Sequence, residues 1–164
     1  MIVVADASPL IFLGKIGQLE LIPALWKAAV WIPVSVRDEI LAPPISPAEA
    51  RVLGAFLDHC EISKVTHPIR FSTAMSHADN GALTLALRKH ADLLLTDERL
   101  MRDMATIEHI RPMGTLGILL LAMRKRLLTA AETRRHVDAL IRDHRFRIGI
   151  ALYDVVLAHL ADGK

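Results

Sequence analysis

Four acidic side chains occupy positions from which a folded chain can act on a phosphodiester: Asp6, Glu39, Asp79 and Asp97. Asp6 directly follows the apolar run Ile2-Val3-Val4-Ala5, and Asp97 directly follows Leu93-Leu94-Leu95-Thr96. Short unbroken apolar runs are the signature of strands buried on both faces of a parallel sheet, so both acids are expected at the carboxyl edge of one sheet. Asp79 is expected at the same edge, because its helix must begin there and descend before the strand leading to Asp97 climbs back. Glu39 lies about a turn and a half into the helix that follows Val30-Trp31-Ile32. Carboxylates crowded in a partly desolvated cleft raise one another's pKa, and a divalent cation removes the conflict. An oxygen-only ligand set, with one cysteine (Cys60) and no HxxxH or HExxH spacing among eight histidines, suits Mg²⁺ or Mn²⁺ rather than zinc. Such an ion delivers a water to a phosphodiester while neutralising charge on the phosphoryl oxygens.

Each acid also has a structural use. Asp6 is placed to cap the helix opened by Ser8-Pro9, and Ser76-His77-Ala78-Asp79 reads as a capping box. Asp97 is placed to cap the helix after it, and Glu39 reads as an exposed helix residue. These uses, taken one at a time, do not explain why three of the acids converge on one sheet edge.

The elements that must position the acids alternate. Strands are expected near residues 2–5, 30–32, 61–65, 92–96 and 109–113, with amphipathic helices between them, including one over 18–29 and one over 79–90. That order predicts a three-layer α/β/α sandwich with a central, mainly parallel sheet, formed as one domain over residues 1–164. Ligands of such sheets bind beyond the carboxyl ends of the strands, where the acids are expected. After the last strand, helices are expected near 115–126, 130–143 and 150–161.

Composition limits the classes open to the chain. Hydrophobic residues make up 52% of 164 and the mean hydropathy is +0.35, enough for a sizeable core and some apolar surface to bury against a partner. The start MIVVADASPL has neither a basic n-region nor a long apolar h-region, and the apolar stretch 113–123 is too short to span a bilayer. A reduced, cytoplasmic setting is expected. Between Arg124 and Arg147 stand eight Lys and Arg against three acids, a net +5, which leaves −3 for the remainder of a chain whose total is +2. An acidic body with a basic C-terminal face suits a metal site beside a phosphate-binding surface. Arg99 and Arg102, within a turn or so of Asp97, are candidates to meet substrate phosphate. Aromatic residues are only 4%, so base-specific stacking is not expected from composition.

The same residues resemble the PIN-domain family and, within it, small prokaryotic proteins similar to VapC toxins. The start VVADASPLIFL, with Asp6 and Ser8, looks like the N-terminal PIN motif of an acid followed two residues later by a hydroxyl. Pro33-Val34-Ser35-Val36-Arg37-Asp38-Glu39-Ile40 resembles the motif of the second acid, and Leu93-Leu94-Leu95-Thr96-Asp97-Glu98 that of the last. Gly114-Thr115-Leu116-Gly117-Ile118-Leu119-Leu120 is similar to a segment of one uncharacterised PIN branch. The third motif departs from the Gly-Glu pair of that branch, and Asp79 is its best-matching carboxylate.

The resemblance implies a Mg²⁺- or Mn²⁺-dependent endoribonuclease, usually a homodimer, held inactive by a small antitoxin whose helix lies in an apolar groove. It places Asp6, Glu39, Asp79 and Asp97 as metal ligands, with Ser8 near the metal or its water and Glu98 assisting Asp97. Leu10, Ile11, Phe12, Leu21, Leu25 and Trp26 are the apolar residues from which such a groove is expected. Two other readings remain open: a catalytically silent PIN-fold module that binds RNA or antitoxin, and a small Mg²⁺-dependent phosphatase. Asp6-Ala7-Ser8 lacks the acid-x-acid start that an aspartyl-phosphate enzyme of the haloacid-dehalogenase type requires.

Overall fold

The computed structural model describes residues 1–162. Its centre is a five-stranded sheet in the order β3-β2-β1-β4-β5, with β1 Val3–Ala5, β2 Val30–Pro33, β3 Glu61–Ser63, β4 Leu93–Leu95 and β5 Arg111–Met113. Every neighbouring pair is parallel, so the expectation of a mainly parallel sheet sharpens to a wholly parallel one. β1 and β4 are the most deeply buried, all six residues having no solvent exposure. This is why their sequences are unbroken apolar runs rather than alternating ones. The helices are α1 Ala7–Lys15, α2 Leu21–Trp26, α3 Val34–Ile40, α4 Pro47–Leu57, α5 His77–Arg88, α6 Arg99–Ile107, α7 Thr115–Arg124, α8 Ala130–Asp143 and α9 Ile150–Asp162. Together they make an α/β/α sandwich.

The strand order carries the functional geometry. The chain moves outward from β1 to β2 and β3, then returns through α5 to place β4 on the other side of β1. The direction of winding therefore reverses between β1 and β4, and at such a switch point the loops beyond the strand ends diverge and leave a crevice. Asp6 continues the ladder past β1, its N–H donating to the Leu95 carbonyl at 2.9 Å. The residue after β1 and the residues after β4 are thus side by side at that crevice.

Helix ends follow local chemistry. Ser46–Glu49, Ser76–Asp79 and Thr129–Glu132 are capping boxes in which hydroxyl and carboxylate each satisfy an orphan backbone N–H. α5 consequently starts at His77 rather than Asp79. The helix expected over 18–29 is reduced to α2, because Gly17 turns the chain with φ +66° and Lys27 closes the helix in a left-handed conformation at φ 48°. No described helix is long and apolar enough to cross a membrane.

Asn80, Thr84 and Arg88 form a stripe at four-residue spacing along α5 that fastens the irregular segment 66–71. The Asn80 Oδ1 accepts from Phe71 N at 2.9 Å and Thr84 Oγ1 from Ile69 N at 2.8 Å, while Arg88 donates to the Thr66 and His67 carbonyls at 2.9 and 3.0 Å. These polar side chains serve the backbone and hold the approach to the first turn of α5.

Candidate active site

Asp6 is the most deeply set of the four acids. Only 2% of it is exposed. It occupies the N-cap position of α1, yet its side chain makes no capping hydrogen bond, so the structural use expected for it is not how its carboxylate is spent. Its Oδ2 accepts instead from Thr96 Oγ1 at 3.1 Å. Burial drives its pKa up to about 7, opposed by the Ala7 backbone and the Thr96 hydroxyl and reinforced by the negative charges of Asp79 and Glu39.

Asp79 and Glu39 approach from two helices. Asp79 is half-buried in the first turn of α5, one oxygen accepting from Ser76 N at 2.8 Å in the capping box. Glu39 is exposed near the C-terminal end of α3. Desolvation first, and then the charges of Asp79 and Glu98, raise the Glu39 pKa above the ordinary carboxylate value. Close approach of the two helices is permitted by Gly81, where a Cβ would stand 2.8 Å from Ser35 Oγ.

Asp97 has a different anchorage from the one expected. The helix that follows it, α6, has Glu98 at its N-cap with no side-chain cap. Asp97 turns to α7, whose N-cap residue Gly114 has no side chain to offer. The Thr115 N–H donates to Asp97 Oδ1 at 2.7 Å and Thr115 Oγ1 donates to Oδ2 at 2.6 Å. Asp97 N donates to Ser8 Oγ at 3.3 Å, joining the acid to the hydroxyl two residues beyond Asp6. Burial raises the Asp97 pKa, with the two Thr115 contacts and Arg102 opposing and Glu98 reinforcing the shift. Glu98 therefore acts electrostatically on both Glu39 and Asp97 and links the two ends of the acidic edge.

The acids are thus linked electrostatically: the charges of Asp79 and Glu39 act on Asp6, those of Asp79 and Glu98 act on Glu39, and that of Glu98 acts on Asp97. Among the described residues, no three His, Cys, Asp or Glu side chains are disposed to hold a single metal ion as they stand. His77 belongs to the same first turn of α5 and is exposed. Arg102 donates to the Asp97 carbonyl at 2.9 Å, and Arg99 faces Asp103 at 3.8 Å. Both arginines line a cleft with Ser8 and Asp97.

The family model described as DUF3368: PIN domain matches residues 2–162. The chain belongs to the PIN-domain family. Among curated proteins, none matches it. PIN domains are generally metal-dependent nucleases, and the donor chemistry of this PIN domain fits a hard divalent cation. All its candidate donors are carboxylate or hydroxyl oxygens, and a nearly inaccessible carboxylate faces two further negative charges with no cation beside it. One Asp79 oxygen is left outside the capping box, and Glu39 is exposed. Asp97 has both oxygens engaged, which suits it to orientation of the crevice as much as to direct ligation.

Thr96, Thr115, Gly81 and Gly114 support the candidate site; no sequence rule assigns any of them a role of its own, although Thr96 lies in the motif of the last acid and Gly114-Thr115 in the segment similar to one PIN branch. A Cβ on Gly114 would stand 2.6 Å from Asp97 Oδ1 and 3.3 Å from the Thr96 carbonyl. Gly114→Ala is accordingly expected to push Asp97 off Thr115 and cost about 1–3 kcal/mol, as overpacking does. Thermal unfolding checks this, and an unchanged melting temperature would show that the Asp97 carboxylate is not held against Thr115 beside Gly114.

Proposed function

We propose that this PIN domain is a Mg²⁺- or Mn²⁺-dependent endoribonuclease that hydrolyses RNA phosphodiester bonds. The observation that carries the reading is the buried Asp6 carboxylate at the β1/β4 switch point, facing Asp79 and Glu39 without a positive counter-charge. Asp6, Asp79 and Glu39 would hold the ion, with Asp97 completing the set or orienting it. When bound, the divalent ion supplies an activated water and neutralises charge on the phosphoryl oxygens. The protein does the rest. Thr96 fixes the Asp6 carboxylate by donating to Oδ2, Thr115 fixes Asp97, and Ser8 Oγ stands beside Asp97 within reach of a water. Glu98 keeps the potential of the edge negative, and the raised pKa of Asp6 lets that group exchange a proton for a cation near neutrality. Arg99 would meet a substrate phosphate on leaving Asp103, while Arg102 is already tied to the Asp97 carbonyl.

Toxin function in a type II toxin–antitoxin pair, as a cytoplasmic homodimer, is part of the same proposal. A groove of about 350 Å³, lined by the apolar Ile11, Ile40, Ile45, Val52 and Leu53 together with Lys15, Glu39, Glu49 and His144, supports an amphipathic antitoxin helix as partner. Leu10 and Leu21, expected to contribute to such a groove, are core residues, and only Ile11 of the six lines it. Exposed Ile150 and Val155 on α9 support burial against a second copy.

A second reading has a specific observation in its favour. Asp97 spends both oxygens and Asp79 one on helix ends, as a silent RNA- or antitoxin-binding module would allow. Incubation of the purified chain with mixed RNAs separates the two readings: Mn²⁺-dependent internal cleavage, stopped by EDTA, is expected. RNA retained in EDTA and left uncut in Mn²⁺ would leave only the silent module.

A further inference from the structure

We propose that the connection between α8 and α9 is a backbone clamp for single-stranded RNA, in which Arg145 and Arg147 hold the phosphate next to an unpaired nucleotide beside the scissile bond. The proposal rests on the ribonuclease reading above and says how its substrate lies.

A cleft of about 870 Å³ opens beside the acidic edge and is lined in part by Ser8, Asp97 and Glu98. Arg145 and Arg147 line the same cleft together with Arg99 and Arg102. Of these four, Arg102 is tied to the Asp97 carbonyl and Arg99 is drawn toward Asp103. Arg145 and Arg147 are exposed and, among the described residues, take part in no ion pair. Two uncommitted guanidinium groups at the rim of an acidic edge have no structural duty, and their planar donor forks match phosphate oxygens.

The residue between them fixes their position. Phe146 is buried, its ring meeting that of Phe12 edge-on with centroids 4.8 Å apart at 83°. Its N–H donates to the Leu140 carbonyl at 2.9 Å, and Arg145 before it adopts the left-handed conformation at φ 55°. The connection is therefore pinned to α1 and α8 at its middle, and the two arginines are carried on either side of the pin. Phe12 belongs to α1, the helix that also carries Ser8, so the clamp and the acidic edge share one rigid support.

The rest of the cleft decides between paired and unpaired substrate. Phe12, Leu116 and Leu152 give it an apolar wall, and Gly114, Gly117 and Gly149 contribute no side chains to fill it. In a duplex the faces of a base are covered by its stacked neighbours. Only an unpaired nucleotide can lay a base face on that wall while its phosphate meets the arginines.

The test uses full-length chain carrying Asp6→Asn, so that RNA is bound and not cut, and a short fluorescent single-stranded RNA of mixed sequence. Binding is measured against KCl concentration. Adding Arg145→Gln and Arg147→Gln is expected to lower the slope of log affinity against log salt by about 0.7, since the two arginines share one phosphate and each phosphate neutralised on a single strand contributes about 0.7. Arg51→Gln with Lys64→Gln, which removes two exposed charges outside the cleft, is expected to change the slope by less than about 0.3. Phe146→Ala keeps both charges but releases the pin, and is expected to lose part of the slope. A duplex of the same sequence is expected to bind at least about tenfold more weakly. An unchanged slope in the double arginine variant, an equal loss in the control pair, no binding of single-stranded RNA, or equal binding of the duplex would each overturn the clamp. If the wild type cleaves RNA in Mn²⁺ but the slope does not change, the clamp fails and the ribonuclease reading stands. If the slope falls as expected but the wild type cuts nothing, the clamp stands and the ribonuclease reading fails.

Discussion

Asp6→Asn is expected to lower Mn²⁺-dependent RNA cleavage by roughly 10²–10³-fold or more, the loss seen when a preorganised electrostatic group is removed, while making the metal-free protein more stable near pH 8. The two effects have one cause. Asp6 is almost inaccessible and faces the charges of Asp79 and Glu39, so its ionised form is disfavoured in the folded state and its pKa stands at about 7 against 3.8. A shift of that size corresponds to about 4 kcal/mol of destabilisation above neutrality, at 1.36 kcal/mol per pKa unit. Asparagine keeps the shape and an acceptor for Thr96 Oγ1, and its amide can donate to the neighbouring carboxylates. Thermal unfolding near pH 8 and near pH 5 separates this from general repacking. Near pH 5 the folded carboxyl is protonated while the unfolded one is largely ionised, so the advantage of the variant is expected to fall there to less than half of its value near pH 8. A variant that is destabilised at both pH values, or that cuts RNA as fast as the wild type, contradicts the assignment of Asp6.

The metal-free wild type is expected to become less stable as pH rises from about 4 to about 7, the reverse of the usual behaviour of carboxylates. Over that window the folded chain retains a proton on Asp6 that the unfolded chain has lost. Stability therefore falls with pH and levels off above the folded pKa of about 7. Glu39 and Asp97, both with raised pKa values, add in the same direction. Glu49 and Glu132, lowered by their capping hydroxyls and backbone amides, act oppositely, but their effect is confined to pH values below the ordinary glutamate range. Adding Mn²⁺ is expected to offset much of the decline, because an ion bound only by the folded chain stabilises it by about 2.7 kcal/mol at a hundred times its dissociation constant. At about 2–4 °C per kcal/mol for a chain of this size, the rise near pH 8 is expected to be several degrees, and smaller near pH 5 where protons compete for Asp6. A Mn²⁺ effect equal at both pH values, or absent at both, would separate the ion from the acidic edge.

The acids at the strand ends were legible in the sequence because the physics that marks them is local. A short run such as Val3-Val4-Ala5 or Leu93-Leu94-Leu95, ended at once by a charge, reads as a doubly buried strand, and that charge then lies at the sheet edge. Glu39 and Asp79 followed from topology, since the direction of each strand fixes which end of the adjoining helix is near that edge. The capping box at Ser76–Asp79 was legible for the same local reason, and the structure contains it alongside the electrostatic coupling of Asp79 to Asp6. Asp97 was misread in its structural use. Its partner Thr115 lies eighteen residues further on and is recruited because Gly114 leaves the start of α7 without a cap of its own. No spacing rule announces a cap supplied from another element. Thr96, Gly81 and Gly114 matter through distances of about one atom between elements, and Arg145 and Arg147 through the packing of Phe146 on Phe12. Those facts arise only once the helices are laid on the sheet.

The central claim is that carboxylates gathered from separate parts of the chain hold one or more divalent ions. Calorimetric titration of the metal-free protein with MnCl₂ near pH 8 tests it most directly, with Asp6→Asn and Glu39→Gln titrated beside the wild type. Saturable binding that is lost in Asp6→Asn and weakened in Glu39→Gln is the result expected here. Binding of Mn²⁺ by Asp6→Asn as tight as that of the wild type, or no saturable binding by the wild type at all, would contradict it.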